Sequence, residues 1–161
     1  MNKSTAQDLF KRHHLSLFRY LRRMTENSDQ AEELTQEVFL RVLRGLSNYR
    51  EEGREEAWLF QIARNLVLNK LRDRNRQPKL EMLNDMRNPS YPARQLEKLG
   101  LEQALSRLND ADREIFLLRE IAGLGYEEIS RVCDLSVDAV KSRIYRARIN
   151  LRAFMSMKSE P

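Results

Sequence analysis

Between Lys141 and Arg152 the chain carries five basic residues, Lys141, Arg143, Arg146, Arg148 and Arg152, and no acidic one. Arginine and lysine side chains donate to guanine O6 and N7, and a serine hydroxyl pairs with several bases. On a helix, Lys141, Ser142, Tyr145 and Arg146 share one face (i, i+1, i+4, i+5), which makes them candidate base readers. Arg143 and Arg148 are better placed for phosphates or for ion pairs within the protein. A basic amphipathic helix also suits an anionic membrane surface or an acidic protein. What precedes it favours DNA. Tyr126 to Val132 reads as a short helix, Cys133-Asp134-Leu135 as a tight corner, and Ser136 to Phe154 as a long helix with Ser136 at its N-cap. Two helices across such a corner outline a helix-turn-helix, whose second helix enters the major groove. Ile129, Leu135, Val137 and Val140 are expected to pack the pair together. Asp134 is a tolerable residue for a left-handed corner, where glycine is the least strained choice.

The N-terminal half separates its charges. From Glu26 to Glu37 there are five acidic residues and no basic one, whereas from Arg64 to Arg76 there are five basic residues against the single acid Asp73. The first face repels DNA and suits a protein; the second attracts phosphates. Tyr49, Trp58 and Phe60 lie beside the basic stretch, and basic residues interleaved with aromatics suit single-stranded nucleic acid. Trp58 taken alone reads as a core anchor.

Other chemistry is absent from the pattern. His13-His14 has no cysteine or histidine at metal-ligand spacing. Gly123-Leu-Gly125 lacks the strand and third glycine of a dinucleotide loop. Cys133, the only cysteine among 161 residues, fits a small buried hydrophobe in a reducing compartment. No catalytic residue, metal, cofactor or small-molecule substrate is expected. A net charge of +5 and a pI near 9.6 point to a polyanionic partner, although simple solubility also accounts for them. No apolar run spans a bilayer and the first residues lack a signal-peptide core, so the expectation is a cytoplasmic protein without membrane insertion.

These residues need helices to position them, and the pattern is helical throughout, with little glycine or proline. Leu9, Phe10, Leu17, Phe18 and Leu21 recur at helical spacing. Asn27-Ser28-Asp29 offers capping oxygens, followed by the stripe Leu34, Val38, Val42 and Leu46, widened by Phe39 and Leu43. A polar break at residues 47–56 precedes a helix from about Ala57 to Arg76, with apolar residues at Leu59, Ile62, Ala63, Leu66 and Leu71. Residues 77–95 hold Pro78, Pro89 and Pro92 and no sustained period; they read as a flexible linker, with a short helical turn near Leu80 to Met86. Periodicity resumes at Leu96, and Asn109 or Asp110 starts a helix carrying Ile115, Phe116, Leu118 and Ile121. The expected architecture is all-α, with small domains at 1–76 and 96–161 joined by that linker.

Four segments together resemble a known family. Ala31-Glu-Glu-Leu-Thr-Gln-Glu-Val-Phe39, Trp58-Leu-Phe-Gln-Ile-Ala-Arg-Asn65, Tyr126-Glu-Glu-Ile129 and Lys141-Ser-Arg-Ile-Tyr-Arg-Ala-Arg148 resemble, in order and spacing, the extracytoplasmic-function group of sigma-70 factors. The resemblance covers nearly the whole chain except the linker and includes only the second and fourth sigma domains. It implies a factor that binds core RNA polymerase and directs recognition of −35 and −10 promoter elements and strand opening. It implies that Glu32, Glu33, Gln36, Glu37 and Phe39 dock on the clamp coiled coil, with the flap as a second polymerase contact. The loop holding Asn48, Tyr49 and Arg50, with Trp58, Arg64, Asn65 and Asn69, is implied in opening the −10 element and trapping a flipped base, which costs a few kcal/mol of stacking. The final helix is implied in −35 recognition, with Arg119 as a supporting backbone contact. An anti-sigma factor is implied as a further partner, able to hold the protein at the inner membrane.

Two other classes stay open at this level. A stand-alone helix-turn-helix regulator would use the N-terminal half for dimerisation or sensing. A protein-binding adaptor would never touch DNA.

Overall fold

A computed structural model describes residues 3–45, 55–76 and 93–159, and among them the chain forms seven α-helices. Helix α1, Lys3–Thr25, buries Ala6, Leu9, Leu17, Tyr20, Leu21 and Met24, a stripe at intervals of three and four with His13 in the same line. It ends where Thr25 turns its hydroxyl back to the Leu21 carbonyl (2.7 Å) and Glu26 takes a left-handed backbone, φ 56°. Asn27 then caps the next helix, its side-chain oxygen accepting the Gln30 N–H at 3.0 Å. Helix α2, Ser28–Gly45, folds back along α1 and buries Ala31, Leu34, Val38, Phe39 and Val42.

Helix α3, Glu55–Arg76, starts two residues before the expected Ala57, with Glu55 and Glu56 in the first turn where the helix dipole favours negative charge. It lays Leu59, Phe60, Ala63 and Val67 against both earlier helices, and the Tyr20 and Phe60 rings meet edge to face at 5.5 Å. Each fully buried side chain of this kind is worth about 1.5–3 kcal/mol against exposure.

The second half is organised around its last helix. Helix α4, Ala93–Arg107, begins inside the segment read as linker, three residues before Leu96. Helix α5, Asp110–Glu120, is capped by Asn109, whose side chain accepts the Asp112 N–H at 2.8 Å. It closes on Gly123, at φ 72°, where the Leu124 N–H reaches back to the Leu118 carbonyl; only glycine takes that conformation without cost. Helix α6, Tyr126–Cys133, and helix α7, Val137–Ser159, follow, and α7 packs against α4, α5 and α6 through Val140, Ile144, Ala147 and Leu151.

Several expectations change. Phe10 and Leu43, placed on apolar stripes by their spacing, are 47% and 53% exposed, because each sits at the edge of its stripe and faces away from the three-helix packing. Leu46, most of the polar break, residues 77–92 and the turn expected near Leu80 to Met86 lie outside the described residues. The two halves also pack on one another, α3 against α6 and α1 against α5.

Candidate nucleic-acid interface

The corner between α6 and α7 has the geometry expected of a helix-turn-helix. Asp134 adopts φ 54°, ψ 53° and its N–H closes on the Ser130 carbonyl. The Ser130 hydroxyl bonds the Leu135 carbonyl, and Ser136 caps α7 by accepting the Ala139 N–H at 3.1 Å. Ile129 and Val140 are fully buried between the helices, while Leu135 and Val137 are only half-buried.

Helix α7 then presents Lys141, Ser142, Tyr145 and Arg146 on its exposed side, with Tyr145 at 68% exposure. Tyr126 is the hub beneath them: the Arg119 guanidinium lies 4.6 Å from its ring centre and the Lys141 ammonium 5.7 Å. Arg119 also donates to the Leu124 carbonyl at 3.0 Å, so it braces the α5–α6 turn. Arg148 pairs with Glu120 at 2.7 Å. Arg146 is held by two hydrogen bonds, each 3.0 Å, from Nε and Nη2 to the carboxylate of Asp112, and Arg143 stands 3.8 Å from the same carboxylate. The Arg146 hydrogen bond is the main cause of an Asp112 pKa below the usual carboxylate range.

In the N-terminal half, Glu32, Glu33 and Gln36 line the exposed side of α2, and Glu37 pairs with Arg41 one turn on at 3.3 Å. Phe39 is 9% exposed and meets Phe10 edge to face, so Phe10, rather than Phe39, is displayed beside the acidic row. Phe10, His14, Leu15 and Phe18 of α1 form a shallow apolar groove with Glu32, Thr35 and Gln36. On α3, Asn65 and Asn69 are exposed and Asn69 accepts a bond from Arg72 at 3.0 Å. Trp58 is half-buried and packs over Gly45, where a Cβ would stand 3.2 Å from its ring. Asn48, Tyr49 and Arg50 lie outside the described residues.

Arg64 has a different neighbourhood from the one its sequence context suggests. It reaches across to the second half, donating to the Glu114 carboxylate and, at 3.5 Å, to the Val132 carbonyl. Burial opposes its charge, but the hydrogen bond and attraction of Glu114 outweigh that and raise its pKa. Cys133 lies 3.4 Å from the same carboxylate, and burial, reinforced by that negative charge, pushes its thiol up to about 12. Tyr20 is completely buried nearby, and burial followed by the Glu114 charge holds its phenol well above the ordinary range. Arg23 and Glu102 add a second bridge between the halves at 2.9 Å. Sequence reasoning missed Asp112, Glu114, Tyr20 and Arg23. The available signal was the run Asp112-Arg113-Glu114, three consecutive charges leading directly into the apolar run Ile115-Phe116-Leu117-Leu118.

Among the described residues no group of side chains is arranged to hold a metal ion, and no helix is long and apolar enough to cross a membrane.

Residues 9–77 match the family model of sigma-70 region 2, and residues 98–151 match that of sigma-70 region 4. The chain is similar to the RNA polymerase sigma factor YlaC of Bacillus subtilis, 27% identical over 99% of this chain and 96% of that one. It is similar to the ECF RNA polymerase sigma factor EcfG of Rhodopseudomonas palustris, 30% identical over 82% of this chain and 75% of that one. Among solved structures, that of the sigma factor RpoE in complex with the anti-sigma factor NepR from Bartonella quintana superposes with a TM-score of 0.79. The two are 25% identical, with 99% of this chain and all of that one covered. A superposition over both halves at once means that their mutual placement is shared, as well as their separate folds.

Proposed function

The chain belongs to the extracytoplasmic-function sigma factors of the sigma-70 family, and from that premise we propose how its two halves divide the work. It is a sigma factor, which binds core RNA polymerase and directs promoter recognition; a stand-alone regulator is not favoured. We assign core binding and the −10 element to residues 1–76, the −35 element to residues 96–161, and the tether to residues 77–95.

In this assignment Lys141, Ser142 and Tyr145 read base edges in the −35 major groove, Arg146 joins them, and Arg119 braces the turn that carries Tyr126. The exposed carboxylates Glu32 and Glu33, with Gln36 and Glu37, meet the clamp coiled coil, and the exposed ring of Phe10 extends that surface. Asn65 and Asn69, with Asn48, Tyr49, Arg50, Trp58 and Arg64, serve the −10 element. The observation that carries the reading is the capped corner at Asp134, which leaves one face of α7 basic and open while the other is packed. The chain acts as a recognition factor rather than an enzyme, and works where RNA polymerase works, in the cytoplasm.

An anti-sigma factor is a partner by the same reasoning. The matched structure is a complex with one and superposes over both halves, and in the arrangement found here Arg64 is engaged by Glu114 and the Val132 carbonyl. The closed arrangement is therefore assigned to the held form, and polymerase binding to the opened one.

The test is reconstitution. Added to core RNA polymerase, the protein is expected to give promoter-specific transcripts, and its gel shift on promoter DNA is expected to strengthen sharply when core is present. No transcript and no core binding would defeat the assignment. Tight, core-independent binding to a palindromic site would instead restore the stand-alone regulator.

A further inference from the structure

We infer that Asp112 is a positioning residue for −35 recognition, fixing the Arg146 guanidinium so that its free edge reads one guanine. The inference rests on the proposed assignment of α7 to the −35 element and adds a residue on a different helix. Asp112 is 1% exposed, so its carboxylate has little water to satisfy it and must be held by protein. The holding groups surround it. Asn109 accepts its backbone N–H at 2.8 Å and donates to Oδ2 at 3.3 Å, and Arg143 stands 3.8 Å from Oδ1. Arg146 supplies the bidentate pair, Nε to Oδ2 and Nη2 to Oδ1, each at 3.0 Å.

A guanidinium has five N–H groups in one plane. The Asp112 pair uses the side-on edge, one N–H of Nε and one of Nη2. One N–H of Nη1 and the remaining one of Nη2 are left as a second, end-on edge, while the other N–H of Nη1 points back toward Cδ. That edge has the spacing needed to donate to guanine O6 and N7 together. The Arg146 side chain is 54% exposed although its guanidinium is anchored, and it lies on the exposed face shared with Lys141, Ser142 and Tyr145, so the end-on edge is taken as the one offered to DNA. Anchoring removes most of the rotamer freedom before DNA arrives, so less is lost on binding. It also fixes the plane of the guanidinium, and a fixed plane discriminates between base pairs where a free one follows any acceptor.

The experiment uses holoenzyme reconstituted with the full chain and a set of promoters in which each −35 base pair is varied in turn. Wild type is expected to prefer G·C at one pair by roughly tenfold or more. Arg146→Ala is expected to abolish that preference, and Asp112→Asn to reduce it at the same pair while preferences at the other −35 pairs persist. Those persisting preferences report that the domain is folded. Arg146→Lys keeps the charge but not the planar edge, so it is expected to retain binding and lose the preference; this variant decides the matter if Asp112→Asn does not fold. A full preference in Asp112→Asn or in Arg146→Lys would overturn the inference. So would equal weakening on every −35 sequence by Arg146→Ala, which identifies a phosphate contact. Wild-type holoenzyme that ignores the −35 element altogether would defeat the parent assignment instead.

Discussion

Arg64 on α3 and Glu114 on α5, fifty residues apart, form an ion pair that joins the two halves of the molecule. Glu114 is the more deeply placed partner, with 5% of its side chain exposed against 23% for Arg64. Arg64 gives Nε to Glu114 and Nη1 to the Val132 carbonyl, so both ends of its guanidinium are engaged at the seam, and under the proposed −10 role that engagement competes with promoter phosphates.

Removing one partner leaves a carboxylate buried without its cation. Arg64→Ala is expected to weaken closure by about 2 kcal/mol, less than for a wholly buried pair because Arg64 keeps some water. Small-angle scattering of the free protein should show a larger radius of gyration. The exchanged pair Arg64→Glu with Glu114→Arg should recover much of the compaction. An unchanged radius in Arg64→Ala would show that the pair does not hold the halves together.

Cys133 offers a chemical readout of the same seam. Its thiol, pushed up to about 12, is expected to react slowly with a thiol reagent at pH 8, since only the thiolate attacks. In a closed molecule Arg64→Ala removes a cation that lowers the thiol pKa, which by itself slows labelling. Faster labelling in that variant therefore reports opening alone, and slower labelling would mean that the seam stays shut.

Asp112 supplies a pH dependence with a defined sign. The hydrogen bond from Arg146 depresses its pKa below the ordinary 3.8, so the native state holds the carboxylate charged more firmly than the unfolded chain does. The stability it contributes is complete above the ordinary value and is lost as pH falls through 3.8 towards the lower native value. Urea unfolding of wild type and Asp112→Asn should give curves whose difference shrinks between about pH 5 and pH 3. A constant difference over that range would contradict the pairing.

The left-handed corner carries a modest strain. At φ 54° Asp134 sits where an L-residue costs about 1–2 kcal/mol and glycine does not. Asp134→Gly is expected to raise the melting temperature of the protein by several degrees, with about 1 kcal/mol gained. A lowered melting temperature would show that the aspartate side chain stabilises the corner by more than its backbone costs.

On α2 the exposed carboxylates are expected to act through core polymerase. Glu33→Lys should weaken core binding, measured with labelled sigma, by tenfold or so if the contact is worth about 1–2 kcal/mol. The helical circular dichroism should not change. Unaltered affinity would move the interface elsewhere on the N-terminal half.

Much of the local structure was legible along the chain. Of the capping oxygens at Asn27-Ser28-Asp29 and the starts at Asn109 or Asp110, the structure uses Asn27 and Asn109; these caps, Ser136 and the αL corner at Asp134 are settled by neighbours a few residues away. The open basic face of α7 was legible for the same reason, since its apolar and charged positions alternate with the helical period. Phe10 was misjudged because periodicity places a residue on a helix face without saying how far the neighbouring helices extend over it. Asp112, Arg113 and Glu114 were overlooked because charge alone suggests solvent, whereas all three are buried here.

Residue order thus determined the helices, the capped ends among them and the separation of acidic from basic faces, all consequences of interactions within a turn or two. Which charges meet was decided only in three dimensions. Arg64 with Glu114 and Arg146 with Asp112 are separated by 50 and 34 residues, and both pairs exist because helix packing removed the acidic partner from water. A carboxylate cut off from solvent must find a cation, and the packing, which no short window encodes, determines which arginine is within reach.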